Sequence, residues 1–145
     1  MTVTNGPTKV LYTAKATATG DGRNGHSRSS DGVLDLDVRI PGEMDGAGGG
    51  TNPEQLFAAG YAACFHSALR LVGRRQGVDV TDSEVTAKVG IGPNAAGGFA
   101  LQAELAVHLP KVDRAAAQSA VEAAHAVCPY SNATRGNIEV TLTVV

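Results

Sequence analysis

The segment from residue 51 to residue 77 constrains the fold of this chain more than any other. It opens with TNPE (51–54). Either of the first two residues can cap a helix, the proline suits the first helical position, and the glutamate lies at the positive end of the helix dipole. We predict a helix that runs to about Gln76 and ends at Gly77. Its middle, AAGYAAC (58–64), is made mostly of small residues, which indicates a buried helix that lies close to another backbone.

Alternating and turn-forming residues before this helix predict a three-stranded meander. The pattern KVLYTAKATAT has the two-residue period of a strand, and GDGRNG and Asp31-Gly32 are turn signals. The predicted parts are a loose arm at 1–8, strands at 9–19, 26–30 and 33–40, and a turn at 20–25. The glycine-rich loop at 41–50 lacks the GK[ST] of a phosphate loop and the spacing of a dinucleotide fingerprint, so it does not predict nucleotide binding.

The second half of the chain predicts two more strands, a helix and a closing strand. These lie at 83–92, 99–109, 113–127 and 137–145, with Asp113 as the helix cap and a turn at 93–98. The element order is then β-β-β-α-β-β-α-β. We expect a single α+β domain over 1–145, in which antiparallel sheets leave faces for the helices.

Composition excludes several classes of function. The 145 residues carry a net charge of −2 without a basic tract, so nucleic-acid binding has no electrostatic basis. We find no apolar run near the roughly 18 residues of a membrane span, and no signal-peptide pattern at 1–9. A cytoplasmic protein that binds neither nucleic acid nor membrane is therefore expected.

Two cysteines, Cys64 and Cys128, are the only thiols of the chain. Cys64 follows the small-residue run of the first helix, and Cys128 lies where the second helix breaks at Pro129. The pair suggests a dithiol that cycles with a disulfide, because disulfides in the cytoplasm are usually transient and catalytic or sensing. Thiol redox chemistry needs a thiolate, whereas a free cysteine has a pKa of about 8.5. Burial would raise that pKa further, so a cation must oppose it.

Three blocks of sequence cover about a third of the chain and carry a family resemblance. They are VLYTAKATATGDGRNG (10–25), GGGTNPEQLFAAGYAACF (48–65) and CPYSNATRGNIEV (128–140). With these blocks the chain resembles the OsmC/Ohr superfamily and, within it, the organic hydroperoxide resistance branch. The resemblance implies an OsmC-like fold, with sheets wrapped around a central helix and two subunits intertwined as a homodimer.

The same resemblance implies a thiol peroxidase that reduces organic or lipid hydroperoxides and binds no cofactor. A lipoyl dithiol on a lipoylated protein would be its external reductant. By motif position, Cys64 corresponds to the peroxidatic cysteine and Cys128 to the resolving cysteine. Arg23 corresponds to the arginine that activates the thiolate, and Glu54 to the carboxylate that orients that arginine. Arginine suits this role because it stays charged and its planar fork can serve two anions.

The spacing of Glu54 and Cys64 bears on assembly. Ten positions on one continuous helix span about 15 Å, too far for one arginine to bridge. Either the helix breaks between them, or Arg23 and Glu54 reach the Cys64 of a partner subunit. We favour the second arrangement, with the small-residue run packed between two copies of the helix.

The sequence says less about substrate contacts and about a metal site than about the cysteine pair. We expect apolar side chains at the mouth of the site, and the candidates are Phe57, Phe65, Met44, Ile91 and Phe99. His125, Cys128, Cys64 and His66 form a nominal zinc set. Positions 64 and 66 point to nearly opposite helix faces, so no metal site is predicted.

Two alternatives remain. One is an OsmC-type peroxidase of the same superfamily, although VCPYSNATRGN (127–137) favours the hydroperoxide resistance branch. The other is a non-catalytic dithiol redox sensor. A sensor would not need both Arg23 and Glu54.

Overall fold

The computed structural model describes residues 6–145, so the first five residues of the predicted arm lie outside the described residues. The chain divides into two compact units between Leu56 and Phe57. The elements are β1 (Ala16–Asp21), β2 (Asn24–Ser29), β3 (Asp35–Asp37), a 3-10 turn (Gly42–Met44), α1 (Pro53–Gln76), β4 (Glu84–Pro93), β5 (Phe99–His108), α2 (Arg114–Val127), α3 (Pro129–Thr134) and β6 (Val140–Val144). The predicted α+β class is confirmed.

The first unit contains the predicted meander as an antiparallel sheet in the order β1-β2-β3. β1 begins at Ala16, later than predicted, because its partner β2 ends at Ser29 and leaves no strand opposite residues 9–15 in this sheet. β3 is also shorter than predicted. After Asp37 the Val38 amide still donates to the Gly25 carbonyl of β2, but Val38 also forms a parallel bridge with Thr51.

The β1–β2 hairpin has a two-residue turn, Gly22-Arg23, which is tighter than the predicted loop at 20–25. Gly22 has a φ of 61°, and Arg23 has a negative φ. In a type II′ turn the first of the two turn residues has a positive φ, and glycine is preferred at that position. Gly22 occupies it. The turn therefore presents Arg23 at the tip of the hairpin.

Helix α1 confirms its predicted limits. The side chain of Asn52 accepts a hydrogen bond from the Gln55 amide at 2.8 Å, which caps the first turn. Gly77 follows the last turn with a φ of 68°, as glycine does at many helix ends. The helix has no break between Pro53 and Gln76.

The second unit contains a mixed sheet in the order β4-β5-β6. β4 and β5 pair antiparallel, as predicted, but β6 runs parallel to β5, so the prediction of purely antiparallel sheets is wrong. The reason is the connection: α2 and α3 lie between β5 and β6, and a crossover of this length returns the chain in the same direction. β6 starts later than predicted because the amides of Asn137 and Ile138 bond the Thr134 carbonyl at 2.9 Å.

One buried core holds the second unit together. It combines one face of α1 with inward residues of β5 and the apolar face of α2, and its largest members are Tyr61, Phe65, Leu69, Leu105, Val107 and Val121. The α1 members recur every three or four positions, as a single helix face requires.

The remainder of α1 is less buried than the sequence suggested. By length and composition α1 could cross a membrane, with an 18-residue window of mean hydropathy 1.2, so the expectation that no such run exists is wrong. The core helix of a soluble protein meets the same criterion. Only 33% of that window is buried within this chain.

Candidate active site

Cys64 and Cys128 lie side by side in the second unit. Cys64 projects from α1 and is half-buried, whereas Cys128 is fully buried. Their sulfur atoms are 3.6 Å apart, and the Cys128 thiol donates to the Cys64 sulfur. A disulfide needs about 2.05 Å between the sulfurs, so a closing movement of roughly 1.5 Å would join them. The pair predicted from sequence is thus assembled as a dithiol.

Pro129 explains the position of Cys128. The Cys128 amide still bonds the Ala124 carbonyl at 2.9 Å, which closes α2. Its own backbone is extended, with φ −63° and ψ 124°, as expected for a residue before proline. Pro129 then starts α3, a short helix that the sequence analysis did not predict. Cys128 is therefore fixed in the corner between two helices.

The surroundings of the Cys64 thiol have opposing effects on its pKa. Burial raises the pKa most, and the Cys128 thiol raises it further. The polar backbone of Tyr130 acts in the opposite direction and lowers the pKa. The net direction is upward, and no cation within residues 57–145 contributes. The thiol therefore requires a positive charge from elsewhere to ionise at neutral pH.

Arg23 and Glu54 form a two-pronged ion pair in the first unit. The two terminal nitrogens of Arg23 donate to the two oxygens of Glu54 at 2.9 and 2.8 Å. Glu54 has a side-chain exposure of 12%, and Arg23 has 38%. The hydrogen bonds raise the pKa of Arg23 and lower the pKa of Glu54, so both groups stay charged. The predicted partnership of these two residues is present.

Backbone pairing fixes the geometry of this ion pair. The Arg39 amide donates to the Thr51 carbonyl at 2.9 Å, which ties the chain after β3 to the residues just before α1. The guanidinium of Arg39 also donates to the carbonyls of Gly25 and Val38 at 2.8 and 2.7 Å. The hairpin that carries Arg23 and the helix start that carries Glu54 are thereby joined.

Four of the five candidate pocket residues belong to the second unit. Phe57 packs edge-on against Tyr61 and lies 5.8 Å from the ring centre of Tyr130. Phe65 is wholly buried, so it contributes core packing in this chain. Ile91 lines an open cavity of about 340 Å³ whose walls come from residues of both β4 and β5. Phe99 is 73% exposed.

Met44, the fifth candidate, belongs to the first unit. It lies in the 3-10 turn and is 41% exposed.

The contacts that the segment after Cys128 makes with α1 were not predicted from the sequence. The hydroxyl of Ser131 reaches the hydroxyl of Tyr61 on α1 at 2.8 Å. One signal in the sequence was Gly60. A Cβ there would lie 2.8 Å from the Tyr130 hydroxyl, so part of the small-residue run makes room for α3 of the same chain.

The nominal zinc residues have other partners. His125 pairs with Ser131 through Nδ1 at 2.8 Å, and His66 pairs with Ser83 through Nε2 at 2.9 Å. Within residues 6–145 no group of three or more His, Cys, Asp or Glu side chains is arranged to hold a metal ion.

Comparisons with known proteins agree on one family. The family model of OsmC-like proteins matches residues 46–143. An organic hydroperoxide resistance protein of Xanthomonas axonopodis pv. citri is 54% identical over 140 residues, which cover 95% of this chain and 97% of that protein. The organic hydroperoxide resistance protein OhrB of Bacillus subtilis is 50% identical over 134 residues, covering 92% and 97%.

Solved structures give the same result for the fold. The crystal structure of an organic hydroperoxide resistance protein from Elizabethkingia anophelis is 57% identical, with a TM-score of 0.89, and covers 94% of this chain and 97% of that one. The match confirms the OsmC-like fold expected from the sequence.

Proposed function

This chain belongs to the OsmC-like family, in its organic hydroperoxide resistance branch, and we propose that it is a thiol peroxidase that reduces organic hydroperoxides. The observation that carries the proposal is the assembled dithiol, with the sulfurs of Cys64 and Cys128 at 3.6 Å. The relatives named for organic hydroperoxide resistance support the substrate class.

The proposed catalytic cycle has three steps: oxidation of Cys64, disulfide formation, and reduction of the disulfide. The Cys64 thiolate attacks the terminal peroxide oxygen, the O–O bond breaks, and the alkoxide takes a proton to leave as an alcohol. Cys64 becomes a sulfenic acid. The Cys128 thiol then displaces its hydroxyl as water and forms the disulfide. An external dithiol, which we propose to be lipoyl on a protein, reduces the disulfide by exchange and is itself oxidised.

We propose that Arg23 supplies the positive charge that the Cys64 thiol requires. Because α1 is continuous, Glu54 and Cys64 of one chain are separated by about 15 Å along the helix. The proposed site therefore combines the Arg23–Glu54 pair of one subunit with the cysteine pair of the other. Each homodimer would contain two such sites.

Exposed apolar surface supports the proposed homodimer. Val10, Leu11 and Tyr12 are 64%, 88% and 79% exposed, and such consecutive apolar residues seldom face water in a monomer. On α1, Ala59, Ala63 and Ser67 form an exposed row of small residues at four-residue spacing. A second α1 could pack closely along that row.

Peroxide consumption tests the proposal directly. We expect turnover of tert-butyl hydroperoxide with dihydrolipoamide, and much slower turnover of hydrogen peroxide. Cys64→Ser should abolish activity. Cys128→Ser should permit one stoichiometric oxidation of Cys64 without disulfide formation. A wild-type protein that forms the reversible disulfide but does not turn over with any dithiol would support the sensor alternative instead.

A further inference from the structure

Three hydroxyl groups and one imidazole ring form a largely buried hydroxyl network close to the cysteine pair. The Tyr61 hydroxyl lies 2.8 Å from the Ser131 hydroxyl and 3.1 Å from that of Thr134. Ser131 also lies 2.8 Å from Nδ1 of His125. Tyr61 and Ser131 have no exposed surface, and Thr134 has 4%. Hydroxyl groups in such a place are costly unless each is paired, so loss of one member leaves its neighbours unsatisfied.

Counting protons gives every bond in the hydroxyl network a direction. The Thr134 hydroxyl donates its single proton to the Ser131 carbonyl at 3.2 Å, so it accepts from Tyr61. The Tyr61 proton is then used, and Ser131 must donate to Tyr61. The Ser131 proton is then used as well, which leaves Nδ1 of His125 as the donor to Ser131. The network therefore begins at a protonated Nδ1 and ends at a backbone carbonyl.

The hydroxyl network joins three helices around the two thiols. His125 lies in the last turn of α2, Ser131 lies in α3, and Tyr61 lies on α1. Tyr61 precedes Cys64 by three residues, which is about one helical turn. His125 and Ser131 lie three residues before and three residues after Cys128. Each thiol is therefore close in the chain to a member of the network.

The position of Cys128 depends on how α2 and α3 are held. Its amide donates to the Ala124 carbonyl, and its carbonyl accepts from the Asn132 amide, both at 2.9 Å. Its sulfur lies 3.6 Å from that of Cys64. The bond between Ser131 and Tyr61 joins the same two parts of the chain as this sulfur contact. A movement of α3 away from α1 would therefore break that bond and separate the sulfurs.

We propose that the hydroxyl network holds the Cys128 thiol at the Cys64 sulfur and thereby sets the rate of disulfide formation. Tyr61, Ser131 and His125 are thus positioning residues for this step. Reactions within one molecule depend steeply on placement, and a displacement of about 1 Å can cost roughly 100-fold in rate. The inference rests on the proposed function only for its place in the catalytic cycle, because disulfide formation can be measured without peroxide.

The aromatic disulfide dithionitrobenzoate separates the reactions of the two thiols. The Cys64 thiolate breaks the disulfide bond of the reagent, releases one thionitrobenzoate and forms a mixed disulfide. The Cys128 thiolate then attacks the Cys64 sulfur, releases the second thionitrobenzoate and forms the protein disulfide. The protein loses two electrons and the reagent gains them. The first phase depends on the reagent concentration, whereas the second phase does not, and absorbance of the released thiolate records both.

Removal of single hydroxyl groups tests the positioning role. Tyr61→Phe keeps the ring in the core and removes only the hydroxyl. We expect an unchanged first phase and a second phase slowed about tenfold. Ser131→Ala removes the side-chain bonds to both α1 and α2 and should slow the second phase at least as much.

His125 tests the direction of the hydroxyl network. Burial, together with the charge of Arg135, lowers the pKa of His125, so the ring is neutral and carries one proton at about pH 8. Ring nitrogen chemical shifts of the wild-type protein should place that proton on Nδ1. His125→Asn keeps an N–H near the Nδ1 position and should retain the wild-type second phase, whereas His125→Leu should slow it. A proton on Nε2, or equal slowing by both variants, would overturn the assigned direction.

Two controls separate positioning from general loss of stability. Tyr130→Phe is the matched change, since the Tyr130 ring is partly exposed and its hydroxyl makes no hydrogen bond within residues 6–145. Both of its phases should match those of the wild type. Val121→Ala removes buried volume from α2 without touching the network. It should lower the melting temperature but leave the second phase unchanged.

The outcomes are distinct. Unchanged second phases in Tyr61→Phe and Ser131→Ala would overturn the positioning role, as would equal slowing by Val121→Ala. Turnover of tert-butyl hydroperoxide by the wild-type protein is assayed separately. If that turnover is absent while Tyr61→Phe still slows the second phase, the proposed function is wrong and the positioning inference stands.

Discussion

Arg23 engages both oxygens of Glu54, and its planar fork is what makes the pair two-pronged. Lysine carries the same charge but only a single ammonium group, so Arg23→Lys would lose one of the two bonds and the orientation they impose. We expect the kcat/KM for organic hydroperoxide to fall by about 100-fold, or roughly 2.7 kcal/mol of transition-state stabilisation. Steady-state kinetics provide the measurement, with Arg28→Lys on the same sheet as the control. Equal activity of Arg23→Lys and wild type would remove Arg23 from the site.

A second prediction concerns the contribution of the Glu54 carboxylate to the free energy of unfolding. Arg23 lowers the pKa of Glu54 below its ordinary value of 4.5. A group whose folded pKa is depressed stabilises the fold above the unfolded pKa, and this contribution is lost as the pH falls through the folded pKa. Glu54→Gln should therefore lower the free energy of unfolding near pH 7 by about 1 kcal/mol. The difference from wild type should shrink below about pH 4. Urea titrations across this range measure it, and a difference independent of pH would contradict the assignment.

At the scale of elements, the helix and strand predictions were correct where the residues that determine an element lie next to it in the sequence. α1 was predicted to its last residue because Asn52, Pro53 and Gly77 act on their immediate neighbours. β6 was assigned the wrong orientation because strand direction depends on the path of α2 and α3, which no local pattern encodes. The buried bonds of Ser131 to another helix were missed for the same reason.

Pro129 separates α2 from α3 and keeps the backbone of Cys128 extended. Its replacement should therefore affect the step in which Cys128 reacts. Pro129→Ala removes the steric restriction on the preceding residue and allows helical backbone at position 128. We expect slower disulfide formation after one equivalent of peroxide, about tenfold, with the first oxidation of Cys64 unchanged. Rapid-mixing assays of the two steps can separate them. Pro93→Ala, at the end of β4, is the control, and parallel loss of both rates would indicate a general structural defect instead.

For the molecule as a whole, the family resemblance identified the site residues, which local sequence patterns did not. The four residues Arg23, Glu54, Cys64 and Cys128 come from three blocks far apart in sequence, and periodicity alone would not have selected them. The structure pairs Arg23 with Glu54 and Cys64 with Cys128. How the two pairs combine is a question of assembly, because the first belongs to one compact unit and the second to the other.

Mixed dimers test the proposed shared site. Cys64→Ser and Arg23→Ala should each be inactive alone. If the site takes its thiol from one subunit and its arginine from the other, a mixed dimer contains one intact site, so co-refolding equal amounts should restore about one quarter of wild-type activity. If both residues act within one chain, every site in the mixture stays defective and no activity returns. Cys64→Ser mixed with Cys128→Ser is the control: both thiols of a site come from one subunit, so it should restore nothing in either case.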